Sequence, residues 1–193
     1  MNDCKRVVLV GIPGVGKSTV VNKIQETLKS KGITVEYVIF GSVMMKEAEK
    51  IGVKHRDELR NLPVSQQRKL QLSASIEISK MKSDILLVDT HLFIKTSEGY
   101  WPGLPIDVAT ALSPTHLILI EATPSEIISR RIKDTTRRRD IVIEKDIIEE
   151  LSIAKDMLSV LAVLTGASIM YVSNSEGKAD DASAKAVSAL GVV

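Results

Sequence analysis

Eight residues near the N-terminus, Gly11-Ile12-Pro13-Gly14-Val15-Gly16-Lys17-Ser18, are spaced to hold a polyphosphate. They fit G-x-x-x-x-G-K-[ST], with an apolar run before them and an amphipathic stretch after. Gly14 and Gly16 permit backbone angles that a side chain blocks. Successive N–H groups then turn inward on an anion, and the following helix adds its positive N-terminal end. Lys17 reaches the β- and γ-phosphates, and the Ser18 hydroxyl is a ligand for Mg²⁺. Thr19 adds a hydroxyl for an α-phosphate. The motif predicts nucleoside triphosphate binding.

Such a loop needs an acidic residue at the end of another apolar strand, to hold Mg²⁺ directly or through water. Asp89 follows Ile85-Leu-Leu-Val88, and Glu121 follows Leu117-Ile-Leu-Ile120. Asp89 is preferred, because the polar pair Thr90-His91 and a Gly/Pro-rich loop come next. Glu121 stands close to Thr123 and Pro124, where an acid serves to cap a helix. His91 either touches substrate or bonds a loop carbonyl. Arg130, Arg131, Lys133, Arg137, Arg138 and Arg139 form a basic cluster opposed only by Asp134. Guanidinium forks bind phosphate oxygens in pairs and neutralise a phosphoryl group in transfer. Arg56 and Arg60 lie four apart on one helix face. That spacing suits either the phosphate of a second substrate or surface pairs with Glu47, Asp57 and Glu58.

The elements that must position these groups alternate between strand and helix. Arg6–Val10 reads as a strand buried on both faces, and Ile33–Phe40, Asp84–Asp89, Thr115–Ile120 and Ser168–Val172 read as the other strands. Helical patterns occupy Lys17–Ser30, three patches between Ser42 and Lys82 broken near Gly52 and at Pro63, Pro124–Lys133, Glu144–Gly166 and Ala179–Leu190. Thr90–Pro105 reads as a Gly- and Pro-rich loop. Five strands alternating with helices predict an α/β three-layer sandwich with a parallel sheet. The Glu144–Gly166 helix carries an apolar stripe that widens in its second half, which suits its own core or an oligomer contact.

Composition narrows the function classes. A 193-residue chain fits one domain over 1–193. Its net charge of +2 gives no support to a general nucleic-acid or membrane-surface binder. Aromatic residues make up 3%, too few for a base-stacking strip. The single cysteine, Cys4, excludes a Cys-rich zinc site and an internal disulfide. A stretch of 19 uncharged residues from Met157 to Ser175 contains Gly166 and several hydroxyls, and reads as a helix followed by a strand rather than a membrane span. No targeting segment is evident, so the expected location is cytoplasmic.

Taken together, several motifs resemble the archaeal-type adenylate kinases, within the P-loop nucleoside monophosphate kinase superfamily. They are the loop at Gly11–Thr19, Arg56-Asp-Glu-Leu-Arg60, Val88-Asp-Thr-His91, Ile94-Lys-Thr-x-x-Gly-Tyr-x-Pro-Gly-Leu-Pro105 and Asp134-Thr-Thr-Arg-Arg-Arg-Asp140. The resemblance covers essentially the whole chain and implies the reaction MgATP + AMP ⇌ 2 ADP. It also implies a P-loop NTPase fold, a helical monophosphate-binding region over 41–82, a short lid over 134–143 and a homotrimer. By carry-over, Gly11 to Thr19 bind ATP, and Asn174 lies near its base. Lys17, Arg130, Arg137 and Arg139 supply transfer charge. Arg56, Arg60, His91, Gly99, Tyr100 and Gly103 belong to the AMP side. Ser18 and Asp89 (via water) hold Mg²⁺. One departure stands out. Broader adenylate kinases place an arginine after the Asp-bearing strand, where this chain offers Lys95. The rival readings are a kinase for another monophosphate or small metabolite, a P-loop switch and an RNA-binding module. The chain carries no Asn-Lys-x-Asp guanine motif.

Overall fold

Val7, Val8, Leu9 and Val10 are all fully buried in succession, which requires cover on both faces of their strand. The computed structural model, which describes residues 4–133 and 143–192, supplies that cover. Its elements are β1 (Lys5–Val10), α1 (Lys17–Ser30), β2 (Val35–Ile39), α2 (Phe40–Glu49), α3 (Arg56–Asn61), α4 (Val64–Ser79), β3 (Ile85–Asp89), β4 (Phe93–Thr96), β5 (Gly99–Pro102), α5 (Ile106–Leu112), β6 (His116–Glu121), α6 (Pro124–Lys133), α7 (Glu144–Thr165), β7 (Ser168–Ser173) and α8 (Ala179–Ala189). Five strands form one parallel sheet in the order β2-β3-β1-β6-β7. Helices flank it: α1 packs with α8, α4 with α5, and α5 with α7. This is the α/β architecture of the P-loop NTPases.

Helix ends follow local chemistry. Thr123 and Glu126 form a capping box at the start of α6: Glu126 Oε2 accepts from the Thr123 N–H at 2.9 Å and from its hydroxyl at 2.7 Å. Those bonds hold the Glu126 carboxyl below its usual range. α7 ends at Gly166, whose φ of 71° favours glycine. One face of α7 buries Ile147, Ala154, Leu158 and Leu161, while Val160, Val163 and Leu164 are exposed. Among the described residues, no helix is long and apolar enough to cross a membrane.

The structure corrects the reading of Thr90–Pro105 as a loop. β4 and β5 pair as an antiparallel hairpin, with Phe93 opposite Pro102 and Thr96 opposite Gly99. Phe93 and Tyr100 meet edge to face at 5.0 Å, and Gly99 turns the chain with φ 116°. Phe40 also differs from expectation. It opens α2 instead of closing β2.

Candidate functional site

β1 and β3 are neighbours with Leu9 registered on Asp89, so the glycine loop after β1 emerges beside that carboxylate. Parallel α/β sheets bind ligands at this edge, beyond the carboxyl ends of the strands. Gly14 and Gly16 take φ of 97° and 79°. α1 begins at Lys17, with Gly16 as its N-cap and no side-chain cap. Lys17 Nζ donates to Asp89 Oδ1 and, at 3.0 Å, to the Thr90 carbonyl. Ser18 and Thr19 stand exposed on the first turn. Glu121, the other acid weighed for the metal side, pairs with Lys155 of α7 at 2.9 Å. Asp89 is therefore the acid beside the lysine.

Tyr37 joins this centre without a sequence signal of its own. Its hydroxyl donates to Asp89 Oδ2 at 2.8 Å. Burial, and then the carboxylate beside it, push the phenol well above its usual range, so it stays a donor at any working pH.

The outer wall of the loop is braced. Asn174 Nδ2 donates to the Val15 carbonyl at 2.8 Å, and an Arg130 guanidinium nitrogen donates to the same oxygen at 3.1 Å. Arg130 also donates to the Asn174 carbonyl at 3.0 Å and pairs with Glu176 at 3.3 Å. Arg131 donates to the Pro13 carbonyl at 2.7 Å and pairs with Glu150 at 3.0 Å. A Cβ on Gly16 would lie 2.5 Å from Asn174 Nδ2, so this close approach requires glycine. The structure thus brings Arg130 and Asn174 to the loop's backbone. Arg131 and Glu150 share that task, and the arginine cluster was the only hint of either.

On the other side, α4 and the hairpin flank an open cleft lined by Val64, Gln67, Arg68, Gln71, Trp101 and neighbouring residues. A short run of contacts links it to the lysine. Buried Gln71 donates to the Gly103 carbonyl at 3.4 Å, and a Cβ on Gly103 would meet the His91 carbonyl at 2.0 Å. His91 is exposed and follows Thr90, which holds Lys17. Gly103 is thus a packing glycine, and Gly99 is the hairpin turn. Tyr100 lies under Lys95, whose Nζ is 5.8 Å from the ring centroid and 3.8 Å from Glu150. Arg56 lies outside the cleft lining, with its guanidinium against Gly41. Arg137, Arg139, the side chain of Arg60 and nearly all of the expected lid lie outside the described residues.

Among the described residues, no three His, Cys, Asp or Glu side chains converge as a metal cluster. Magnesium does not require one, since it keeps several waters and takes one or two protein oxygens plus phosphates. The Ser18 hydroxyl and the Asp89 carboxylate are hard oxygen donors that fit this demand.

Residues 10–148 match the AAA domain family. The chain is 44% identical to the adenylate kinase of Methanocaldococcus jannaschii over 180 residues, covering 92% of this chain and 94% of that protein. It is 42% identical to the adenylate kinase of Pyrococcus furiosus, covering 89% and 87% of the two chains. The chain belongs to the P-loop nucleoside monophosphate kinase superfamily, as a relative of the archaeal adenylate kinases. In this chain the glycine loop follows β1, Lys17 opens α1 and Asp89 ends β3. Solved structures add the fold alone. A shikimate kinase from Acinetobacter baumannii in complex with shikimate superposes with a TM-score of 0.61 at 16% identity, covering 98% of this kinase-superfamily chain and 94% of the other.

Proposed function

We propose that the protein is an adenylate kinase that catalyses MgATP + AMP ⇌ 2 ADP. The observation that carries the reading is the loop lysine, Lys17, on Asp89 and the Thr90 carbonyl, with a neighbouring cleft whose Gln71 bonds Gly103, itself packed on the His91 carbonyl next in the chain. The similarity to adenylate kinases along most of the chain supports AMP as the acceptor.

Phosphoryl transfer asks for alignment and charge more than for covalent help. Residues Gly11–Thr19 hold the triphosphate, with Lys17 moving from Asp89 to the β- and γ-oxygens. Ser18, and Asp89 through water, would hold Mg²⁺, which would supply positive charge to the phosphates. Arg130 adds positive charge while bracing the loop, and Arg137 and Arg139 of the lid supply the rest. The AMP phosphate is already ionised at neutral pH, so no general base is needed. The 41–82 region, with Arg56 and Arg60, and the hairpin carrying Tyr100 and Lys95 hold AMP. Trp101 offers an aromatic face to its base. A homotrimer is part of the proposal, supported by the exposed Val160, Val163 and Leu164 on one face of α7.

A coupled assay with MgATP and each nucleoside monophosphate in turn, beside a no-acceptor control, tests the reading. Rapid ADP formation only with AMP is expected. Turnover with a different monophosphate moves the specificity, and acceptor-independent hydrolysis overturns the kinase reading.

A further inference from the structure

Asp89 is gripped at both oxygens by different elements. Oδ1 faces Lys17 from the start of α1, and Oδ2 accepts from Tyr37 at 2.8 Å. Tyr37 sits on β2, opposite Leu87 in the parallel register, so it stands two residues behind the partner of Asp89. Only a long side chain crosses that diagonal. The terminal torsion of an aspartate is broad when nothing holds it. A fixed donor on one oxygen selects which lone pairs the other presents. The side chains of Lys17 and Asp89 are 13% and 15% exposed, so little water competes for these positions.

We propose that Tyr37 is a positioning residue for the metal side of the site: its phenol fixes the Asp89 carboxylate so that Oδ1 faces the phosphate loop, where it serves Lys17 and the water shell of magnesium. The inference rests on the nucleotide-binding reading above. It assigns a role to a strand residue outside every phosphate motif. The phenol itself touches neither nucleotide nor metal. Removing it should leave the loop's grip on bare ATP intact and weaken what magnesium adds.

The test is calorimetric binding of ATP to the full chain with excess EDTA and with excess Mg²⁺, for the unaltered protein, Tyr37→Phe and Asp89→Asn. The gain in ATP affinity that magnesium confers is expected to shrink about tenfold in Tyr37→Phe, the order found when a residue orienting a metal ligand is lost. Affinity for ATP in EDTA should match the unaltered protein. Half-saturating free Mg²⁺ for turnover should rise by a similar factor, with the AMP KM unmoved. Tyr37→Phe in the Asp89→Asn background should cost nothing further. Tyr37→Leu, which also lacks the hydroxyl, is the second variant should the first melt below assay temperature, and the same reduction is expected. An undiminished magnesium gain overturns the inference. So does an equal loss of ATP affinity in EDTA, which would make the phenol a mere prop of the sheet, and so does an added loss in the Asp89→Asn background. If the unaltered protein binds ATP no better with magnesium than without, the reading of the site fails and the inference falls with it, a result distinct from an undiminished gain in Tyr37→Phe.

Discussion

The Asn174 amide and the Val15 carbonyl, 159 residues apart in sequence, meet at 2.8 Å and tie the end of β7 to the phosphate loop. The bond turns the Val15 oxygen outward, and Arg130 donates to the same atom. A backbone whose oxygens are engaged on the outside is free to aim its N–H groups inward.

Gly16→Ala should therefore fail for two reasons. The residue sits at φ 79°, and its new methyl would lie 2.5 Å from Asn174 Nδ2. ATP affinity is expected to fall at least about tenfold, from ~1–2 kcal/mol of left-handed backbone strain plus the clash. Asn174→Ala alone should cost about fivefold, since one net hydrogen bond is worth ~1 kcal/mol. Combined, the two should cost less than their sum, because the second removes the atom that the methyl strikes. Calorimetric ATP titrations of the four proteins read the coupling.

Glu126→Ala removes the capping box of α6 and the carboxylate that accepts from the Glu176 N–H at 2.7 Å. Losing a cap worth ~1 kcal/mol should lower Tm by about 2–4 °C at neutral pH. The Glu126 carboxyl is depressed in the folded state, so its contribution is present above the ordinary glutamate range. It is lost as pH falls through the depressed value. Melting curves of the two proteins should converge in acid, and a gap that widens there would contradict the assignment.

Trp101 is the one tryptophan of the chain and lines the cleft between α4 and the hairpin. AMP, without ATP, should change its fluorescence. Trp101→Leu should raise the AMP KM about tenfold, in keeping with the ~1–3 kcal/mol of an aromatic–base stack. The KM for ATP should hold steady. Steady-state kinetics with each substrate varied would decide it.

Arg137 and Arg139 belong to the proposed lid. Neutralising both should lower kcat roughly a thousandfold, the scale of a transfer-site arginine, with a much smaller change in nucleotide affinity. Single-turnover rates set beside equilibrium binding separate the two effects. Parallel losses would assign these arginines to binding alone.

The middle of the sheet was legible because β1, β3 and β6 are buried on both faces. Val7–Val10, Ile85–Val88 and Leu117–Ile120 read as unbroken apolar runs. The phosphate loop was legible because its glycines and lysine are local. The β4–β5 hairpin was not, since Gly99, Pro102 and Gly103 punctuate it and hide the pairing of Phe93 with Pro102. Tyr37 on Asp89 was not legible either. That contact depends on β2 lying next to β3, and strand order is a property of the assembled sheet. Asn174 was singled out by resemblance, as a residue near the ATP base, and its bond to the backbone of the loop had no sequence signal.

The strand order carries a cost in time. β1 is synthesised first, yet Lys5 pairs with Ile85, and the other neighbour begins only at His116. At about 5–20 residues per second, roughly 4–16 s pass on the ribosome before the nearer partner even exists. Throughout that interval Val7-Val8-Leu9-Val10, which the finished protein hides completely, has nothing to pair with. The segment that ends in the phosphate loop is therefore the part of the nascent chain that most needs shelter from aggregation, and the natural place for a chaperone to grip it.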